Sequence, residues 1–285
     1  MKISFSYAFL ALLLIAAPSF AQQATNFKFT YQPSHTYSNT VHSGYNMTMR
    51  ITGDAKVQAR MKAQGLKQPI LMNMRNDGVL TVRTGNSDSS SNVPLAMHYD
   101  KLVTEVTFNG QHTQQQSPLT GKSLYGKFTD GKIRLDSVAG IIKSDTVLNA
   151  VTQMINGIFN EYKFPDKDLK IGESFTQSIP LTIPIPGSNT MHADMKITYT
   201  LLSIANGKAT FRLAESVVYN MMISNRTMRA GGLGTGTMIY DIDKQFATSY
   251  TNNLNVKMTA HMDKTSAMSI VLNATSVNST TIKAN

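Results

Sequence analysis

Two stretches of this sequence alternate apolar and polar residues with a strict period of two, and that periodicity narrows the choice of fold sharply. In "NMTMRIT", Met47, Met49 and Ile51 alternate with Thr48, Arg50 and Thr52, and in "LNVKMTAHM", Leu254, Val256, Met258, Ala260 and Met262 alternate with Asn255, Lys257, Thr259 and His261. Successive side chains of an extended strand point to opposite sides, so each stretch presents one apolar and one polar face. One face buried and one wet is the pattern of an antiparallel sheet. Shorter runs of the same kind occur at residues 70–74, 102–108, 195–201, 209–213 and 268–274. Asn76-Asp77-Gly78, Asn109-Gly110, Asp130-Gly131 and Asn206-Gly207 separate strand-like runs and supply the positive φ that tight hairpin turns demand. Hairpins join sequence neighbours, which argues against the crossovers of a parallel nucleotide-binding sheet.

One segment departs from this period. Ser144 and Asp145 are suited to a helix start, and Val147, Leu148, Val151, Met154, Ile155, Ile158 and Phe159 follow at helical spacing. The spacing predicts a helix over 144–161, ended before Phe164-Pro165 because a residue preceding proline avoids the α region. Pro180, Pro184 and Pro186 then mark an edge strand or linker. The helix and linker divide the chain into β-rich halves, 22–140 and 170–285. The segment from Asp54 to Gln68 reads as a short helix or the end of a long strand, with strand preferred. The resulting fold class is mainly β: a large curved antiparallel sheet, as an open half-barrel or two packed β halves, with one central α-helix.

The first residues, "MKISFSYAFLALLLIAAPSFA", carry Lys2, an apolar run over 9–17, Pro18, and small residues at Ser19 and Ala21. These are the parts of a secretory signal peptide spanning 1–21, with cleavage near Ala21. The apolar run is shorter than the ~20 residues a transmembrane helix needs, and no later segment approaches that length, so no transmembrane segment is expected. Export to the periplasm or beyond follows. The absence of cysteine excludes disulfides and thiolate chemistry, so the core alone must hold the chain together. Removing Lys2 with the signal leaves 26 basic residues against 17 acidic ones, a net charge of about +9. That charge attracts anionic partners in general, but it is scattered and not interleaved with aromatics, so no nucleic-acid partner is expected.

Several motifs invite chemistry. "GGLGTGTMIYD" at 231–241 suggests a phosphate loop, yet a dinucleotide fingerprint must open into a helix and this one runs into strand-like Thr237-Met238-Ile239-Tyr240. Gly232, Gly234 and Gly236 lie two apart, hence on one strand face, and form a bare stripe suited to a bend, a close backbone approach or a ligand. "QSPLTGKS" at 116–123 lacks the first P-loop glycine and also leads into strand. Asp241 and Asp243 are ordinary turn chemistry beside Lys244. No nucleophile-elbow or zinc-protease motif occurs, and no catalytic residues, metal site or cofactor are assigned. Methionine is abundant, at 17 residues. Met47/Met49 and Met72/Met74 form pairs on one face, which serve as flexible core, as lining for an apolar ligand or as soft ligands for copper.

"FKFTYQPSHTYS", "LTGKSLYGKFTDGKI", "EYKFPDKDLKIGESFTQSIPL" and "GTGTMIYDIDK" stand in an order that resembles a family of exported Gram-negative envelope proteins of no assigned function, built of β-hairpins around a central helix. The resemblance implies export and an antiparallel sheet and carries no catalytic residues. In layout the chain is also similar to periplasmic lipoprotein carriers, whose curved sheets close over an apolar cavity. The resulting expectation is a noncatalytic envelope protein that binds a lipid or other amphiphile, with Met47, Met49, Met72, Met74, Gly232, Gly234, Gly236, Met258 and Met262 as lining. The alternatives are an interaction module with an envelope protein partner and copper binding through the methionine pairs.

Overall fold

The alternating stretches become strands longer than their patterns mark, because cross-strand pairing extends them through polar ends. A computed structural model describes residues 24–63, 65, 67–90, 92–138, 164–183, 191–223, 226–261 and 266–285. The signal peptide 1–21, the expected helix 144–161 and Met262 lie outside the described residues. In chain order the elements are β1 (His35–Thr52), α1 (Ala55–Ala63), β2 (Ile70–Thr84), β3 (Val93–Phe108), β4 (Gln111–Gln116), β5 (Ser123–Thr129), β6 (Lys132–Val138), β7 (Ser174–Ile183), β8 (Met191–Ala205), β9 (Lys208–Ile223), β10 (Arg226–Asp241), β11 (Phe246–His261) and β12 (Ala267–Ala284).

They form one open, 12-stranded antiparallel sheet in the order β6-β5-β3-β2-β1-β12-β11-β10-β9-β8-β7, with β4 on β3. The first and last strands join the halves: β1 pairs with β12 along its whole length, from His35 opposite Ala284 to Thr52 opposite Ala267. This pairing replaces the arrangement of two packed halves by a single sheet.

Three of the four expected turns are hairpins with both residues at positive φ, at Asn109-Gly110, Asp130-Gly131 and Asn206-Gly207. Asn76-Asp77-Gly78 is instead the middle of β2, because each residue finds a cross-strand role. Asn76 accepts a hydrogen bond from Thr104 at 2.8 Å, Asp77 meets His42 at 2.6 Å, and Gly78 lies opposite Val41 and Leu102. The segment expected to prolong β1 contains α1. Asp54 caps it, its Oδ1 accepting from the Val57 amide at 3.0 Å, and Arg60 and Lys62 sit in the last turn, where cations suit the helix dipole.

Strand parity puts Tyr37, Val82, Met97, Leu124, Phe211, Leu213, Met238 and Tyr240 on one face, all buried. We call this the inner face. The chain before β1 runs across it. Phe27 packs against the rings of Phe164, Phe211 and Tyr240 at 5.1–5.4 Å, and Tyr31 against Phe128 and Phe246 at 5.5 and 5.4 Å. Phe128 on β5 and Phe246 on β11 are five strand spacings apart, about 24 Å on a flat sheet. Through Tyr31 their rings come within about 11 Å of each other, so the sheet curls around the N-terminal segment.

Tyr240 ties that segment down, its hydroxyl donating to the Lys28 carbonyl. Burial pushes its pKa from 10.0 up to about 12, the bond to Lys28 opposing the shift and Asp241 adding to it. Burial raises Tyr37 and Tyr99 as well. A phenol that ionises less readily in the folded chain contributes stability that is intact below the unfolded pKa and is lost as pH rises through the folded one. The urea midpoint should therefore fall as pH rises from about 10 to about 12, and less steeply in Tyr240→Phe. An equally steep fall in the variant would show that Tyr240 has no part in it.

Candidate functional site

The inner face changes character along the strands. Near the β10–β11 turn it is covered by Phe27, Phe29 and Tyr31, whereas towards the other end Met47, Met49, Met72, Met74 and Met258 are only half-buried. Register places these five methionines on the same face, with Met47 directly opposite Met72 and next to Leu272, and Met258 opposite Ala230 and Ile270. The neighbouring inner-face positions are Tyr45, Ile51, Ile70, Ile270 and Leu272, and Met74 also borders a polar concavity with Arg75, Asp77 and Glu105.

The enclosed space lies under the covered end. A cavity of about 320 Å³ is walled by Phe29, Tyr31, Tyr37, Val41, Gly78, Leu80, Val82, Met97, Tyr99, Leu102, Phe246 and Tyr250. That volume stands at the lower end of small-molecule sites, which begin near ~300 Å³. Among the described residues, none of the methionines or glycines expected to line a site reaches it, and its one methionine is Met97.

Its few polar groups are unequally satisfied. Asn76 accepts from Thr104, Tyr37 accepts from the Gln32 amide at 2.7 Å, and Tyr250 donates to Glu215 at 2.9 Å. Asn39 and Asn278 line the cavity, and their side-chain oxygens are buried away from it with no hydrogen-bond partner. Leaving a buried acceptor unpaired costs about 1–3 kcal/mol, so each is a standing demand for a donor. The sequence signal for them is parity. Counting back from Met47 by twos gives Tyr45, Ser43, Val41, Asn39 and Tyr37, and an asparagine in a series that ends on a buried tyrosine is out of place.

The glycine stripe has a different task. A Cβ on Gly232 would come within 2.8 Å of the Asn255 carbonyl oxygen, one on Gly234 within 2.9 Å of the Asn253 carbonyl and of Glu215, and one on Gly236 would run into the Thr251 carbonyl. The stripe lets β11 lie close against β10 and makes room for Glu215, a buried carboxylate that also accepts from Asn252 at 3.4 Å. Protein atoms occupy the space that the sequence reading left open to a ligand.

A larger concavity of about 640 Å³ opens on the outer face, lined by His42, Gly44, Arg75, Asp77, Glu105 and His112 among others. The hydrogen bond with His42 above all, helped by the charges of Lys101, His42 and Arg75, holds the Asp77 carboxyl below its ordinary range. It is a shallow polar groove, without the enclosure that the inner cavity has. Among the described residues no cluster of three or more His, Cys, Asp or Glu side chains could hold a metal, and no helix is long and apolar enough to cross a membrane.

No family model and no curated protein matches this sequence. The resemblance to an exported envelope family is therefore carried by its quoted segments alone. Among solved structures the chain is weakly similar to lipovitellin, in a structure of its lipid–protein interactions, with 8% identity and a TM-score of 0.45. That match covers 90% of this chain and 26% of the other, so the chain spans about a quarter of the lipovitellin length. It is also weakly similar to OpdL of Pseudomonas aeruginosa, at 9% identity and a TM-score of 0.21 over 87% of this chain and 99% of that one. A Bacteroides fragilis protein with a YmcC-like fold matches at 9% identity and a TM-score of 0.17, over 87% and 98% of the two chains.

Proposed function

We propose that the protein is an exported, noncatalytic binder that holds one small apolar or amphiphilic molecule in the inner-face cavity. The observation that carries this reading is the cavity wall: aromatic and aliphatic side chains surround about 320 Å³, and among the described residues no Lys, Arg, His, Asp or Glu lines it. Apolar walls with a few placed polar groups are the general make-up of small-molecule sites. The curl of the sheet and the N-terminal segment laid across it enclose that space, and the interior of a well-packed domain leaves few voids of this size without use.

Gly78 offers a clean test. It lines the cavity, its φ is negative or extended, and an added Cβ would make only ordinary contacts, 3.6 Å from Leu102 and 4.0 Å from Val41. Gly78→Leu should therefore project side-chain bulk into the cavity and, by removing a strand glycine, stabilise the fold by about 0.5–1 kcal/mol. The full-length chain, signal included, is expressed in a Gram-negative host and the product purified from the periplasm. Its native mass should exceed its denatured mass by one stoichiometric ligand that organic extraction releases, and Gly78→Leu should lack the excess. No excess in the wild-type protein, or the same excess in the variant, would remove the cavity from consideration.

A further inference from the structure

The methionine pairs have no part in the cavity, and their register gives them a separate use. Met47 on β1 faces Met72 on β2 directly, and on the same side of the sheet Met49 lies diagonal to Met72 and Met74 diagonal to Met47. Side chains directly opposite in an antiparallel pair have Cβ atoms about 4.5–5.5 Å apart, and diagonal ones, roughly 7–8 Å apart, are still within reach when the side chains are long. A methionine sulfur stands two bonds beyond Cβ on a flexible, unbranched chain, so Met47, Met72 and either flanking thioether can meet at one point. All four are half-buried, whereas Met97 and Met238, at 1% and 0% exposure, are packed core.

We infer that Met47 and Met72, with a third thioether from Met49 or Met74, form a binding site for one Cu(I) ion. Thioethers are soft, uncharged donors that select Cu(I) over harder divalent ions. The same-face neighbours Tyr45, Ile51, Ile70, Ile270 and Leu272 add no carboxylate or imidazole, the donors that suit magnesium or zinc. Arg75, Asp77 and Glu105 border Met74 but stand at the alternate strand positions, so their side chains turn to the outer face, where Asp77 is engaged with His42. A single positive charge also costs less to desolvate on this apolar surface than two. The chain has no cysteine, so methionine is its only sulfur donor, and a thioether binds without losing a proton.

The test titrates the protein purified from the periplasm, without oxygen, against the coloured complex of Cu(I) with bicinchoninate and follows the loss of colour. One Cu(I) per chain should transfer to the wild-type protein, and excess Zn(II) should not displace it. Groups that merely support metal ligands are commonly worth about 10–100-fold in affinity, so Met47→Leu/Met72→Leu, which removes two ligands, should weaken binding at least about tenfold. Exchange of methionine for leucine conserves volume and is among the best-tolerated apolar substitutions. Met72→Leu alone, with the same expected loss, serves if the double variant does not fold. Met97→Leu in the cavity wall and His42→Gln/His112→Gln in the outer groove should bind like the wild type. X-ray absorption should show sulfur neighbours to copper and no imidazole. No transfer to the wild type, undiminished binding by the methionine variants, or an equal loss in the Met97 or histidine variants would overturn the site. The cavity is tested separately, since Gly78→Leu should still bind Cu(I).

Discussion

Gly236→Val is expected to destabilise the protein by about 3 kcal/mol or more, although valine is a better strand former than glycine. Strand propensity alone predicts a gain of up to about 1 kcal/mol. Against that, any Cβ at this position meets the Thr251 carbonyl oxygen and sits 3.2 Å from Cα of Asn252. Overpacking commonly costs about 1–3 kcal/mol when side chains can shift, and here the obstacle is backbone held in a ladder between β10 and β12. The control lies five residues away in the same run. Gly231 is on the outer face, with nothing nearer to an added Cβ than the Val217 carbonyl at 3.8 Å, so Gly231→Val should be neutral or stabilising. Urea unfolding of the two variants decides between propensity and packing: equal midpoints would mean that the glycine stripe is not what allows β11 to approach.

The same contrast shows what was legible in the sequence. Period-two alternation and the Asn-Gly and Asp-Gly pairs reveal strands and hairpins because both are local: a side chain's face and a turn's φ depend on a few residues. Parity likewise revealed that Gly232, Gly234 and Gly236 share a face with one another, and that Met47, Met49, Met72 and Met74 share theirs. What occupies those faces depends on distant partners. Glu215 over Gly234 comes from the neighbouring strand, and Asn76-Asp77-Gly78 mimics a turn because its cross-strand partners Thr104 and His42 lie far off in sequence. The helix α1 was legible only as the less favoured of two readings, because it lacks a clear apolar stripe: Met61 is its one buried residue, and its signals are the Asp54 cap and three alanines. The cavity was the least legible feature, since it exists only where Phe29 and Tyr31 fold back over strands that follow them.

That covering segment is the basis of the second large effect. Phe27→Ala should cost about 3–5 kcal/mol, the range for truncating a buried phenylalanine. Phe27 is 2% exposed and touches three rings drawn from three places: Phe164, Phe211 on β9 and Tyr240 on β10. Alanine would leave a void among groups that cannot easily close it, because Phe211 and Tyr240 are fixed by the ladder and Tyr240 by its bond to Lys28. The loss should appear across the whole chain. Phe27 belongs to the core of the C-terminal strands, but the same segment carries Phe29 and Tyr31 into the core of the N-terminal strands, and the β1–β12 ladder ties the two together. Circular dichroism at a strand wavelength and tyrosine fluorescence should therefore report one shared transition, shifted as a unit in the variant. Two separated transitions would show that the halves unfold independently and that the segment fastens each without coupling them.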